Sequence, residues 1–196
     1  MTIIRNYNYG TTKVTAMAVD TNSGEFLWVG YAINSNSVCK LRKVSAHNPS
    51  QIYYEIDLSV SEIKSIIVLG TTIYVSVDDG TYIVKTYSSS APLTTFSNIS
   101  IPSGANEAPI AMIDYGPEFY LLLPGVAIGE NAKIYKYSSA GVLINTIDLP
   151  TITNASSFTI DSLGTLWVVT NESPSKLVRV YPISGGIYVY STTSLS

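Results

Sequence analysis

Four times along the chain a glycine-led turn is followed by an apolar run that reaches an aromatic and then an aliphatic residue. The copies are Gly24-Glu25-Phe26-Leu27-Trp28-Val29, Gly70-Thr71-Thr72-Ile73-Tyr74-Val75, Gly116-Pro117-Glu118-Phe119-Tyr120-Leu121 and Gly164-Thr165-Leu166-Trp167-Val168. The aromatics stand at 28, 74, 120 and 167, in steps of 46, 46 and 47. A fixed period of this length marks a repeat architecture, in which each unit buries its apolar face only against its neighbours.

Other columns keep the same period. Upstream of each aromatic lies a short apolar run: Met17-Ala18-Val19-Asp20, Ile66-Ile67-Val68-Leu69, Met112-Ile113-Asp114 and Thr159-Ile160-Asp161. Three of the four end in an aspartate, placed to accept N–H bonds from the turn that follows. Downstream comes a run carrying a cation, at Lys43, Lys85, Lys136 and Arg179, and then a fourth extended segment: Ile52 to Leu58, Thr94 to Ile101, Val142 to Leu149 and Ile187 to Thr192. Asp78-Asp79-Gly80, Ser139-Ala140-Gly141 and Ser184-Gly185-Gly186 supply turn residues that tolerate positive φ. No segment sustains an apolar period of 3.6, so helix is expected to be minor or absent. Each unit reads as four short strands.

The pattern Asp161-Ser162-Leu163-Gly164-Thr165-Leu166-Trp167-Val168 resembles the blade motif of bacterial regulator-type and NHL-type β-propeller repeats, with Asp20 to Val29 a looser copy. The resemblance extends from about Val14 to Ser191 and implies a β-propeller. The expected fold is therefore all-β, four blades of four antiparallel strands. Residues 1–196 form one domain with blades near 14–60, 61–103, 108–150 and 154–196, and an extra N-terminal strand within 1–10. That strand is free to mask a blade edge or to add to a neighbour's. A closed four-bladed disc is favoured on length; the alternative is an open arc that closes with another copy. Propeller lyases of similar repeat sequence use histidines near the central channel, and this chain has only His47.

Composition narrows the function. Charged residues make up 13% of the chain, and Ser, Thr, Asn and Tyr carry its polarity instead. A net charge of −3 argues against a nucleic-acid partner, which requires a basic stripe. The single cysteine, Cys39, excludes an internal disulfide, and with His47 as its one candidate base it makes a poor nucleophile. The N-terminal residues lack the apolar core of a signal peptide, and the longest apolar stretch, Phe119 to Ile128, is cut by Pro124 and Gly125, so no membrane insertion is expected.

With no zinc cluster, triad or carboxylate pair across a cleft, the sequence predicts no enzyme, no catalytic residue, no metal and no cofactor. The leading expectation is a structural or assembly propeller, a component of a virion or another extracellular particle, that contacts protein partners or further copies of itself. Tyr7, Tyr9, Tyr53 and Tyr54 are the candidate contact residues, since tyrosine anchors polar interfaces at low entropic cost. The alternatives are a carbohydrate- or receptor-binding module, with a glycan as ligand, and an intracellular scaffold.

Overall fold

The computed structural model describes residues 12–33, 39–78, 83–90, 95–102, 107–127, 129–182 and 188–195. The N-terminal strand expected within 1–10, with Tyr7 and Tyr9, lies outside the described residues.

Among the described residues sixteen strands form four sheets of four. The first holds β1 (Thr12–Val19), β2 (Phe26–Ile33), β3 (Cys39–Ser45) and β4 (Ile52–Asp57). The second holds β5 (Glu62–Leu69), β6 (Thr72–Asp78), β7 (Ile83–Ser88) and β8 (Thr95–Ser100). The third holds β9 (Ala111–Tyr115), β10 (Glu118–Leu123), β11 (Lys133–Ser138) and β12 (Leu143–Asp148). The fourth holds β13 (Ala155–Ile160), β14 (Leu166–Thr170), β15 (Lys176–Pro182) and β16 (Tyr188–Ser194). Within each sheet the strands lie in chain order, every neighbour antiparallel. There is no helix among the described residues, and so none long and apolar enough to cross a membrane. The fold is the four-bladed, all-β propeller architecture.

The local reasons are plain. The turns between first and second strands carry Gly24, Gly70, Gly116 and Gly164, all at positive φ, which β-carbon-bearing residues resist. Bulges recur at the same place in the innermost strands, between Val14 and Ala16, Ile63 and Ser65, and Ala155 and Ser157. A bulge adds local twist, which each blade needs to lie against the next.

Blades pack through their first two strands, in chain order: β1 and β2 on β5, β5 on β9, and β9 and β10 on β13. Alternation gives every blade two unlike faces. The face turned to the following blade carries the repeat aromatic, and the face turned to the preceding blade carries other apolar side chains, mostly aliphatic with Phe119 and Phe158 among them. Trp28 thus enters the seam holding Ile66, Val68 and Ile73; Tyr74 enters the seam holding Met112, Phe119 and Leu121; Tyr120 enters the seam holding Phe158, Leu166 and Val168. The three seams are the core. Packing of this kind does not join β13 back to β1 among the described residues, and the side chains that would meet there are solvent-facing: Met17 is 62% exposed and Val169 38%. The closed disc expected from length is not what the described residues show.

Candidate functional site

In each blade the repeat aromatic has one partner directly across the second and third strands. The pairs are Trp28 with Lys43, Tyr74 with Thr86, Tyr120 with Lys136, and Trp167 with Arg179. Three of these partners are cations lying over the ring: Lys43 at 5.2 Å, Lys136 at 5.8 Å and Arg179 at 5.5 Å from the centroids. The second blade differs. Register puts Lys85 opposite Val75, one residue off the expected cation column and on the other side of the sheet, and Thr86 stands in the slot.

The aspartate column needs the same correction. Asp20 and Asp161 lie just past β1 and β13 and accept turn N–H groups, from Asn22 at 3.1 Å and from Leu163 and Thr165 at 2.9 Å. Asp114 instead sits inside β9, paired with Phe119, and Tyr115 occupies the turn position. In the second blade that position is Leu69, so this blade lacks both halves of the Asp20–Lys43 ion pair.

Where the cation is missing a cavity of about 270 Å³ opens between the second and third blades, lined by Thr72, Tyr74, Thr86, Ser97, Ile99, Ser139 and Ala140. The lining has no charged residue. Thr86 Oγ1 donates to the Ser97 carbonyl at 2.9 Å and lies 3.0 Å from the Ser97 hydroxyl. The Tyr74 hydroxyl donates to the Ser139 carbonyl, and its ring lies 4.6 Å from that of Phe119. Burial pushes the Tyr74 phenol above its ordinary pKa, so it stays a neutral donor. The site is an aromatic edge surrounded by hydroxyls.

Two charged clusters are closed on themselves. Glu55 accepts from Lys40 at 2.5 Å, from the Tyr31 hydroxyl at 2.7 Å and from Arg42, whose guanidinium covers the Tyr31 ring at 4.2 Å. Partial burial opposes ionisation of Glu55, but these three donors outweigh it and hold the carboxyl at about 2. Glu172 accepts the Thr153 N–H at 2.6 Å and pairs with Lys176 at 2.5 Å, fastening the loop before β13 to the loop after β14.

Cys39 is buried in the seam between the first and second blades, and His47 is exposed beyond the far end of β3. The seven-residue strand β3 runs between them and sets them roughly 20 Å apart, so they make no nucleophile–base pair. Among the described residues no three of His, Cys, Asp and Glu are grouped to hold a metal. Tyr53 is exposed, with its ring edge-on to Phe26 at 4.9 Å, and Tyr54 is half-buried opposite Lys43. The structure brings neither to the cavity.

No protein-family model matches the chain, and no curated protein sequence matches it. Solved structures share its fold. One from Bacteroides uniformis, provisionally named a 6-phosphogluconolactonase, is 10% identical with a TM-score of 0.57, the match covering 92% of this chain and 71% of that one. Another so named, from Bacteroides fragilis, is 8% identical with a TM-score of 0.59 and the same coverage. A streptogramin B lyase is 12% identical with a TM-score of 0.61, the match covering 90% of this chain and 53% of that one. At these identities the likeness shows the fold alone, a β-propeller; the finer repeat type stays a resemblance in the sequence.

These neighbours correct the functional expectation. The proteins that share the architecture are named for a lactonase and a lyase, which overturns the reading of a non-enzymatic structural component of a virion or particle. That reading leaned on composition, and a Tyr/Ser/Thr-rich surface serves small-molecule sites as readily as particle contacts.

Proposed function

We propose that the chain is a ligand-binding propeller whose ligand, a small neutral hydroxyl-rich molecule of the carbohydrate class, seats beside Tyr74 between the second and third blades. The observation that carries this reading is the exchange of the recurring cation for Thr86, which leaves an uncharged, hydroxyl-lined cavity where the other blades place an ammonium or guanidinium. Sugar hydroxyls both donate and accept, and the Thr72, Thr86, Ser97 and Ser139 hydroxyls do the same. The volume approaches the lower end of that found for small-molecule sites. Fold neighbours named for acting on a lactone and on streptogramin B support a small-molecule ligand over a macromolecular one.

Saturation-transfer NMR against a panel of neutral mono- and disaccharides tests the reading. Binding by the native chain should vanish in Thr86→Lys, which fills the slot as Lys43 and Lys136 fill theirs, and should weaken in Ser97→Ala. Absence of any saccharide contact in the native chain, or equal binding by a folded Thr86→Lys, overturns it.

A further inference from the structure

Two of the hydroxyls that line the cavity beside Tyr74 have already committed their protons. The Tyr74 hydroxyl gives its proton to the Ser139 carbonyl, so toward the cavity its oxygen can only accept. Ser97 is in the same state. Thr86 Oγ1 donates to the Ser97 carbonyl at 2.9 Å and accepts the Ser97 N–H at 3.1 Å. Its single proton is spent, so the 3.0 Å contact between the two hydroxyls is a bond that Ser97 donates. That saturates Thr86 and leaves the Ser97 oxygen, like that of Tyr74, an acceptor alone. Tyr74, Thr86 and Ser97 are paired in one row across β6, β7 and β8, which sets both acceptors on one face.

Beside that row the lining turns apolar. Ile99 stands two residues beyond Ser97 on β8, on the same face. Its Cδ1 lies 2.5 Å from where a β-carbon on Gly141 would stand, so it is seated on the turn that carries Ala140. Ile99 and the Ala140 methyl together form an apolar wall. Among the described residues the Thr72 and Ser139 hydroxyls have no hydrogen-bond partner, so each can still donate.

We infer that the group recognised here is an acetamido substituent, so that the preferred ligand is an N-acetylated amino sugar. The inference rests on the carbohydrate reading of this cavity. An amide N–H donates and never accepts, which matches oxygens that cannot donate back. A sugar hydroxyl at that point would donate too, but its own lone pairs would face Tyr74 and Ser97 unmatched, and the apolar wall would stay uncovered. The acetamido methyl covers Ile99 and Ala140, and the acetamido carbonyl accepts from Thr72 or Ser139. The group is uncharged, as is the lining. A free ammonium would meet no carboxylate, because Leu69 holds the place that Asp20 takes beside Lys43.

Titrations of the native chain with N-acetylglucosamine, N-acetylgalactosamine, glucosamine, glucose and galactose, read by saturation-transfer NMR, measure the preference. One N-acetylated sugar should bind roughly tenfold tighter than its plain hexose, the worth of one hydrogen bond with a buried methyl. Glucosamine should bind most weakly, and the acetamido methyl should take up more saturation than the ring protons. Tyr74→Phe keeps the aromatic ring, removes the acceptor, and should close most of the gap between the acetylated and plain sugars. Equal affinity for the two, tightest binding by glucosamine, saturation on the ring alone, or an unchanged preference in a folded Tyr74→Phe overturns the acetamido assignment and leaves the carbohydrate reading standing. Binding of none of the five sugars overturns both.

Discussion

The indole N–H of Trp28 points at the carboxylate of Asp20, 3.3 Å away, inside the seam between the first and second blades. Lys43 reaches the same carboxylate oxygen at 3.0 Å and covers the indole ring. The relationship recurs in the fourth blade, where Trp167 donates to Asp161 at 3.1 Å with Arg179 over its ring. Where the repeat aromatic is a tyrosine, in the second and third blades, the aspartate is absent from that position. A phenol has its donor at the far tip and cannot reach back to the turn, so the acid and the indole come and go together.

Replacing Asp20 by alanine removes the counter-charge of Lys43, leaving its ammonium on the Ser89 carbonyl, strands the Trp28 N–H in a buried seam, and should cost about 3 kcal/mol. Burial alone would raise the Asp20 pKa, but Lys43, the Asn22 N–H and the Trp28 indole prevail and set it below the ordinary carboxylate value. A depressed folded-state pKa gives stability that is present above about pH 4 and lost as pH falls through the folded value. Urea midpoints at neutral and acid pH check this: the gap between native chain and Asp20→Ala should narrow on acidification. Asp161→Ala, on an open face, should shift the neutral midpoint less than Asp20→Ala does.

The aromatic column was legible because period-2 alternation and a 46-residue repeat fix both its face and its depth. The flanking columns were less so, for a reason internal to strands. A slip of one residue moves a side chain to the opposite face, and bulges change the spacing between columns without leaving a mark in composition. Lys85 and Asp114 each look correctly placed by count, yet pairing puts Thr86 and Tyr115 in the positions that matter. The cavity beside Tyr74 followed from that slip and could not be read from spacing. Nor could the partial exposure of Trp167, which is set by what packs against its sheet and not by any feature of its own blade.

Gly30 tests how tightly the seams are packed. A β-carbon at this position would lie 2.9 Å from Cγ2 and 3.0 Å from Cδ1 of Ile63, a fully buried, β-branched side chain with little room to yield. Gly30→Ala should destabilise by about 1–3 kcal/mol through overpacking. In Gly30→Ala/Ile63→Ala the added methyl takes up part of the vacated space, so the double variant should be more stable than the sum of the singles predicts. Strict additivity in chemical denaturation would show that the two do not meet.

Tyr137 carries the opposite kind of flaw. Its ring stacks on Phe119 at 5.2 Å, but its hydroxyl is buried with no hydrogen-bond partner among the described residues, and burial pushes its pKa up to about 12. Removing an unsatisfied buried hydroxyl while keeping the ring should stabilise by about 1 kcal/mol. Tyr137→Phe should raise the urea midpoint at unchanged slope. A lowered midpoint would mean that the hydroxyl is solvated in solution.

Cys39 reports on the same seam as Gly30. Its thiol is fully buried, donates to the Ser61 carbonyl at 3.3 Å, and has its pKa raised by burial, so the native side chain is both un-ionised and shielded. Alkylation by iodoacetamide then requires the first and second blades to part, and its rate follows the population of that open state. Labelling of the native chain should be far slower than in urea. It should also speed up in Gly30→Ala by about 5- to 30-fold for each one to two kcal/mol lost, because the added methyl weakens the contact that must break. Rapid labelling of the native protein, or a rate indifferent to Gly30→Ala, would show that the thiol is reached by a local route and that the seam does not open as a unit.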